Sequence, residues 1–346
     1  MNIIARTAVF AAAAAVVAGL APAASATAGR APVTAAPGAA GCPAAGWQAA
    51  ATIPVSQFPF GVAVDTRTDM IYAASWGTGT GAGSVSVING QTRTVAATVA
   101  VGQQPYGVAV NPQTDTVYVS NGADGTVSVI NGQANTVTAT IPVGGRPYGI
   151  WADRLTNQVF VAGDGGVTVI DGETNTVVDR IATGADPFWL ALDPLTGILY
   201  VTDEARLSVT AINVTTDQIV ATIFLRFAPY GIAMDPKTDT ANVVVAANHL
   251  FTIDGRTNAI TARRTVGHDA FGVAADAATN QVFVINPNEN TVTVVNGRSG
   301  RVAGSVPVGR APFVGLAADP GRGIVYVTND YGDSVSVLVR CQPSGG

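Results

Sequence analysis

Only two histidines occur among the 346 residues, His249 and His268, and imidazole is the side chain that changes charge near neutrality and most often ligates metals. Asp269 follows His268 directly, and Glu289 lies 21 positions after His268. Two neutral imidazoles with a carboxylate can hold a divalent cation, which makes His249, His268 and Asp269 the metal candidates. An imidazole or a carboxylate could equally serve as a general base, which makes His249, His268 and Glu289 the catalytic candidates. The rival reading is a set of solvated loop residues. No HExxH, CxxC or GxSxG string accompanies them, so any chemistry rests on a proximity that only the fold can supply. A divalent metal is the one cofactor this residue set suggests.

Three tryptophans also stand apart. Trp76 opens a glycine-rich run, Trp76-Gly77-Thr78-Gly79-Thr80-Gly81-Ala82-Gly83. It lacks the Gly-Lys-Ser/Thr ending and following helix of a phosphate loop, so it reads as a mobile insertion. Trp151 and Trp189 sit where related segments carry Ala109 and Gly107; they either fill a channel or stack on a flat ligand.

These residues punctuate a repeat. Anchor dipeptides fall at Pro59-Phe60, Pro105-Tyr106, Pro147-Tyr148, Pro187-Phe188, Pro229-Tyr230, Ala270-Phe271 and Pro312-Phe313, spaced by 46, 42, 40, 42, 41 and 42 residues. In the clearest copy, Gly107-Val108-Ala109-Val110 alternates faces as an inner strand. Asn111-Pro112-Gln113-Thr114-Asp115 follows as an Asx/Pro turn. Two β-branched strands and an Asn131-Gly132 turn then lead to an outer strand from Thr136 to Val143. Four strands in 40 to 45 residues, seven times over, predict an all-β, seven-bladed β-propeller with four-stranded antiparallel blades.

Within the repeat, Tyr118-Val119-Ser120-Asn121, Tyr200-Val201-Thr202-Asp203 and Tyr326-Val327-Thr328-Asn329 resemble the YVTN-type propeller repeats of exported bacterial and archaeal proteins. Tyr72-Ala73-Ala74-Ser75, Phe160-Val161-Ala162-Gly163 and Val243-Val244-Val245-Ala246 depart from the string. The resemblance implies the fold and an envelope setting, and carries over no catalytic residue. Some similar seven-bladed propellers act as lactone hydrolases or metal-dependent lyases with His and acidic residues at the channel mouth, which keeps His249, His268 and Glu289 of interest.

The seventh copy holds only three strands, and the missing one lies at the other end, where Ala51-Thr52-Ile53-Pro54-Val55 copies Ala139-Thr140-Ile141-Pro142-Val143. The N-terminal strand is therefore expected to close the ring in the last blade. Aligning Thr52 with Thr140 and Ser336 with Ser128 brings Cys42 and Cys341, the only cysteines, to one turn, where a disulfide is expected.

Residues 1–26 read as a signal peptide, with Arg6 before an apolar run and Ala24-Ser25-Ala26 as the cleavage site. Residues 27–45 read as a flexible Ala/Gly/Pro-rich leader, 46–341 as the propeller and 342–346 as a disordered tail. No other apolar run is long enough to span a bilayer, so the mature chain is expected to be secreted or envelope-associated, without a transmembrane segment, and monomeric. A net charge of −5 with 12% charged residues argues against nucleic acid as a partner. Protein, cell-envelope glycan or a small molecule remain.

Residues that break the repeat around one face of the channel form the expected ligand rim: Trp76, Arg146, Trp151, Trp189, Asp203, Asp269 and Arg310. Two functional readings stand. The first is a binding scaffold with its ligand on that rim; the second is a hydrolase or lyase with a His/carboxylate site, metal-bound or not, at blades five and six.

Overall fold

The computed structural model describes residues 45–78 and 81–341, which form seven four-stranded antiparallel sheets. In blade 2, Pro105–Asn111, Thr116–Asn121, Thr126–Asn131 and Thr136–Pro142 pair in sequence order from the axis outward. Blades 1, 3, 4, 5 and 6 occupy residues 59–100, 150–181, 187–224, 229–265 and 273–307 in the same way. Among the described residues the regular helices are two single 3-10 turns, Pro287–Glu289 and Asp330–Gly332, and none is long and apolar enough to cross a membrane.

Blade 7 holds Pro312–Asp319, Ile324–Asn329 and Ser334–Arg340, and Trp47–Pro54 supplies its outer strand. Thr52 lies opposite Ser336, as Thr140 lies opposite Ser128 in blade 2. The register expected from the repeat is the one observed. Trp47 anchors this closure: it is fully buried, its ring meets Phe283 edge-on at 4.9 Å, and its Nε1–H donates to Gln281 Oε1 at 2.7 Å. Ala45, assigned to the leader, is also buried and packs beside Trp47.

The core is not one cluster but seven, one in each seam between neighbouring blades, including the seam that joins blade 7 to blade 1. A strand buried on both faces needs apolar residues at both parities, which accounts for a chain that is 48% hydrophobic.

The recurring polar residues have separate duties in the seams. The Thr328 hydroxyl donates to Phe60 O across the seam at 2.7 Å, and Ser120 Oγ reaches Tyr148 O at 2.5 Å in the same manner. One position on, the Asn329 and Asn121 amides donate to hydroxyls of their own third strands, at Ser334 and Ser336 and at Thr126 and Ser128. Tyr200 crosses to the next blade's outer turn, where its OH meets Asn258 Oδ1 at 3.2 Å; burial pushes this phenol up to about 12. At the opposite end of each inner strand an Asp or Asn caps the turn, as Asp193 does by accepting from Leu195 N at 2.9 Å.

Blade 5 corrects the sequence alignment by one residue. Ala233 pairs with Asn242 as Ala109 pairs with Tyr118, so the motif there is Asn242-Val243-Val244-Val245 and not Val243 to Ala246. A shortened loop with Ala247 and Asn248 at positive φ (68° and 67°) hid the offset. Residues 1–44, including Cys42 and the signal segment, and the tail 342–346 lie outside the described residues. Cys341 is described, and its N–H donates to Gly46 O at 2.9 Å, beside the start of the closing strand.

Candidate functional site

Each inner strand starts at the face shared by the loops between second and third strands. The aromatic of every anchor dipeptide therefore arrives near the axis at the same height. Seven such rings converge. Phe60, Tyr106, Tyr148 and Phe188 follow one another with centroids 5.1, 5.1 and 5.6 Å apart. Phe188 reaches across to Phe271 at 5.8 Å, Phe271 stacks on Phe313 at 4.2 Å, and Phe313 returns to Phe60 at 5.6 Å. Tyr230 stacks on Phe271 at 4.4 Å. This closed circuit of edge-on and stacked contacts plugs the upper end of the channel. Phe60, Tyr106, Tyr148 and Phe188 are each 5% exposed or less, while Tyr230, Phe271 and Phe313 keep partly open faces.

Trp76 belongs to the same assembly. Its indole stacks on Phe60 at 5.3 Å and meets Tyr106 edge-on at 5.1 Å, so the ring rests on the plug. One backbone bond defines its position in the repeat. Trp76 N–H donates to Phe58 O, as Gly122 donates to Gln104 O, Glu204 to Asp186 O, Ala246 to Ala228 O and Asp330 to Ala311 O. A side chain here points at the plug, since a Cβ on Gly122 would run into the Tyr106 ring. The same position thus offers an indole, a glycine and two carboxylates in different blades. Burial pushes the Asp330 carboxyl up to about 7, with the Asp333 charge adding to the effect.

The predicted rim divides. Arg146 leans over the plug, with Nη2 3.4 Å from Tyr106 OH and its backbone N–H on Asp164 Oδ2 at 3.1 Å. Arg310 lies 6.0 Å from the Tyr331 ring, which meets Phe58 edge-on at 5.9 Å. Asp203 is not a rim residue: it is 1% exposed and accepts from Arg206 N at 2.9 Å, holding its own loop in the place that Asn121 fills elsewhere. Trp151 and Trp189 are not rim residues either, because both lie below the plug and line the channel.

The histidines do not form a centre. His249 sits on the third strand of blade 5, where Arg263 Nη2 is 2.5 Å from its Nε2, with Phe227 and Phe251 packed at 5.8 and 6.4 Å. A guanidinium donating to Nε2 occupies the lone pair a metal would need and adds a repelling positive charge. His268 Nδ1 lies 3.4 Å from Asn248 Nδ2. Glu289 accepts the His268 backbone N–H at 3.1 Å, and Asp269 accepts from Asn288 Nδ2. These acidic groups brace loops of blades 5 and 6. Among the described residues no group of three His, Cys, Asp or Glu side chains is placed to hold a metal ion.

Below the plug the channel is a cavity of about 280 Å³ lined by the inner strands of all seven blades, with no charged side chain in its wall. The sequence had marked its two tryptophans; the seven plug aromatics it had not, although an aromatic stands at every anchor.

No family model matches the chain, and no curated protein matches it. Among solved structures, 1803 chains match. One is a chain of Kuenenia stuttgartiensis hydrazine synthase, which is similar with a TM-score of 0.74 and 19% identity over 84% of this chain and 97% of that one. At that identity the likeness is one of fold, and so common a fold does not choose a function.

Proposed function

We propose that this chain is an exported propeller of the YVTN-repeat type that works as a binding module, with its ligand held on the loop face above the aromatic plug. One observation carries the reading. At a single backbone position that faces the plug, the repeat varies among Trp76, Gly122, Glu204, Ala246 and Asp330, while the inner strands beneath keep alanine at one position in six of the seven blades. Arg146 and Arg310 add cations to the same face. An aromatic floor ringed by mixed charges suits a sugar or a peptide of the cell envelope, by stacking and hydrogen bonding. The signal-like N-terminus supports export, and the proposed Cys42–Cys341 disulfide would fasten the closing strand in an oxidising compartment.

The hydrolase or lyase reading has less to rest on, because His249, His268 and Glu289 each serve a different loop contact. Hydrogen exchange of the full chain, with and without isolated cell-wall polysaccharide or envelope peptides, tests the proposal. Protection is expected at residues 76–78, 146–148, 204–206 and 330–333. Protection confined to the opposite, turn-bearing face would count against it.

A further inference from the structure

We infer that the channel beneath the plug is a second, blind binding pocket, open toward the turn-bearing face, for an uncharged planar bicyclic aromatic molecule. The pocket is separate from the loop face and stands whatever binds there.

The argument begins with what the repeat demands. At the position of Trp151, paired with Phe160 as Ala109 pairs with Tyr118, the other six blades have Ala63, Ala109, Ala191, Ala233, Ala274 and Ala317. At the position of Trp189 the other six have glycine, and each of those glycines faces a backbone carbonyl of the next blade; a Cβ on Gly107 would lie 2.7 Å from Tyr148 O. Trp189 packs against the seam between blades 4 and 5 and also lines the channel. Two indoles on neighbouring blades have replaced the two smallest side chains, on one side of the ring only.

Folding does not account for Trp151. An indole that filled the channel would be buried, yet Trp151 remains 36% exposed beside a cavity of about 280 Å³. Leaving so large an apolar surface open forgoes the stabilisation its burial would provide. A planar guest lying against it recovers that term. Size points the same way: an apolar cavity of about 150 Å³ accepts benzene, so one nearly twice as large accepts two fused rings. The rest of the wall is largely aliphatic, with Met234, Val273, Val314 and Leu316. Polar recognition is left to the backbone, because inner strands present their unpaired edges to the axis.

Charge sets the class. The channel wall has no ionisable group. An anion would leave water for an apolar wall, which opposes it.

Saturation-transfer NMR and tryptophan fluorescence of the purified full chain, titrated with 2-naphthol and with indole, test the pocket. Saturable binding with a midpoint below about 1 mM is expected, as suits roughly ten well-buried heavy atoms. Trp151→Ala removes half of the clamp and should weaken binding at least about tenfold, the loss of one stacking face. Ala233→Leu fills the pocket from the side and should abolish binding, and circular dichroism and urea midpoints verify that both variants fold. Hydrogen-exchange protection of the inner strands by 2-naphthol in the unaltered chain gives a readout that needs no variant. Absence of saturation up to about 10 mM, unchanged affinity in both variants, or 2-naphthoate binding as tightly as 2-naphthol would each overturn the assignment.

Discussion

Replacing Asp330 by Asn should stabilise the protein above neutral pH and leave it unaltered in acid. The carboxyl has its pKa pushed from 3.8 to about 7 by burial against the plug, with Asp333 as the second cause. Between those values the folded chain retains a proton that the unfolded chain has released. Stability therefore falls as pH rises, by about 1.4 kcal/mol per pH unit. Across the window from about pH 4 to 7 the ceiling is roughly 4 kcal/mol, and relaxation of a loop carboxyl toward water lowers this to about 2–3 kcal/mol. Asn keeps the shape and never ionises. The variant-minus-wild-type difference should be near zero at pH 3, reach about 1 kcal/mol at pH 4.5, grow through pH 6 and level off by pH 8. Subtraction matters, because burial also raises Asp217, Asp239 and Asp319, and those contributions cancel between the two proteins. Urea unfolding followed by tryptophan fluorescence at four pH values, with a shared m, measures it. A difference that stays flat within about 0.5 kcal/mol, or a variant less stable at pH 8, would refute the placement of Asp330.

Three further outcomes follow from the seams and the closure. Thr328→Val removes the hydroxyl that donates to Phe60 O at 2.7 Å and leaves a buried carbonyl short of a partner, so the urea midpoint should drop by the equivalent of about 1–3 kcal/mol; Thr94→Val, on an exposed outer strand, should leave it unchanged. Trp47→Ala empties a fully buried site between blades 6 and 7 and should cost about 3–5 kcal/mol, with limited proteolysis cutting first near residues 47–54. If Cys42 and Cys341 are bridged as proposed, mass spectrometry after alkylation without reductant finds no labelled thiol, and reduction lowers stability by up to about 5 kcal/mol, the entropy of so long a loop. Labelling of both thiols would remove the bridge from the account.

Strand order, register and ring closure were legible because each has a local cause. Alternation fixes which face a strand buries, the Asx turns fix where it reverses, and a one-residue slip would move every apolar side chain to the wrong side. Thr52 could thus be placed opposite Ser336 from the copies alone. What the chain order does not encode is radial distance. Phe60 and Phe313 are 253 positions apart in sequence and 5.6 Å apart at the axis, and no single copy of the repeat reveals that its aromatic joins six others in one plug. The histidines failed as a site for the converse reason. Their rarity was visible, but the Arg263 guanidinium that occupies His249 lies on a different strand of the blade. Symmetry then sharpens where chemistry can reside. Seven equal positions make a wall without direction, and a wall without direction can plug or pave but cannot orient a guest. Orientation needs an inequality between blades, and the channel has its largest one at Trp151 and Trp189, two adjacent blades against five that carry alanine, glycine and aliphatic side chains. A single Ala109→Trp substitution would add an indole on the other side of Trp151 and make the wall more even. It should lower affinity for the planar guest through lost room, even though it adds aromatic surface, which separates a shaped pocket from general stickiness.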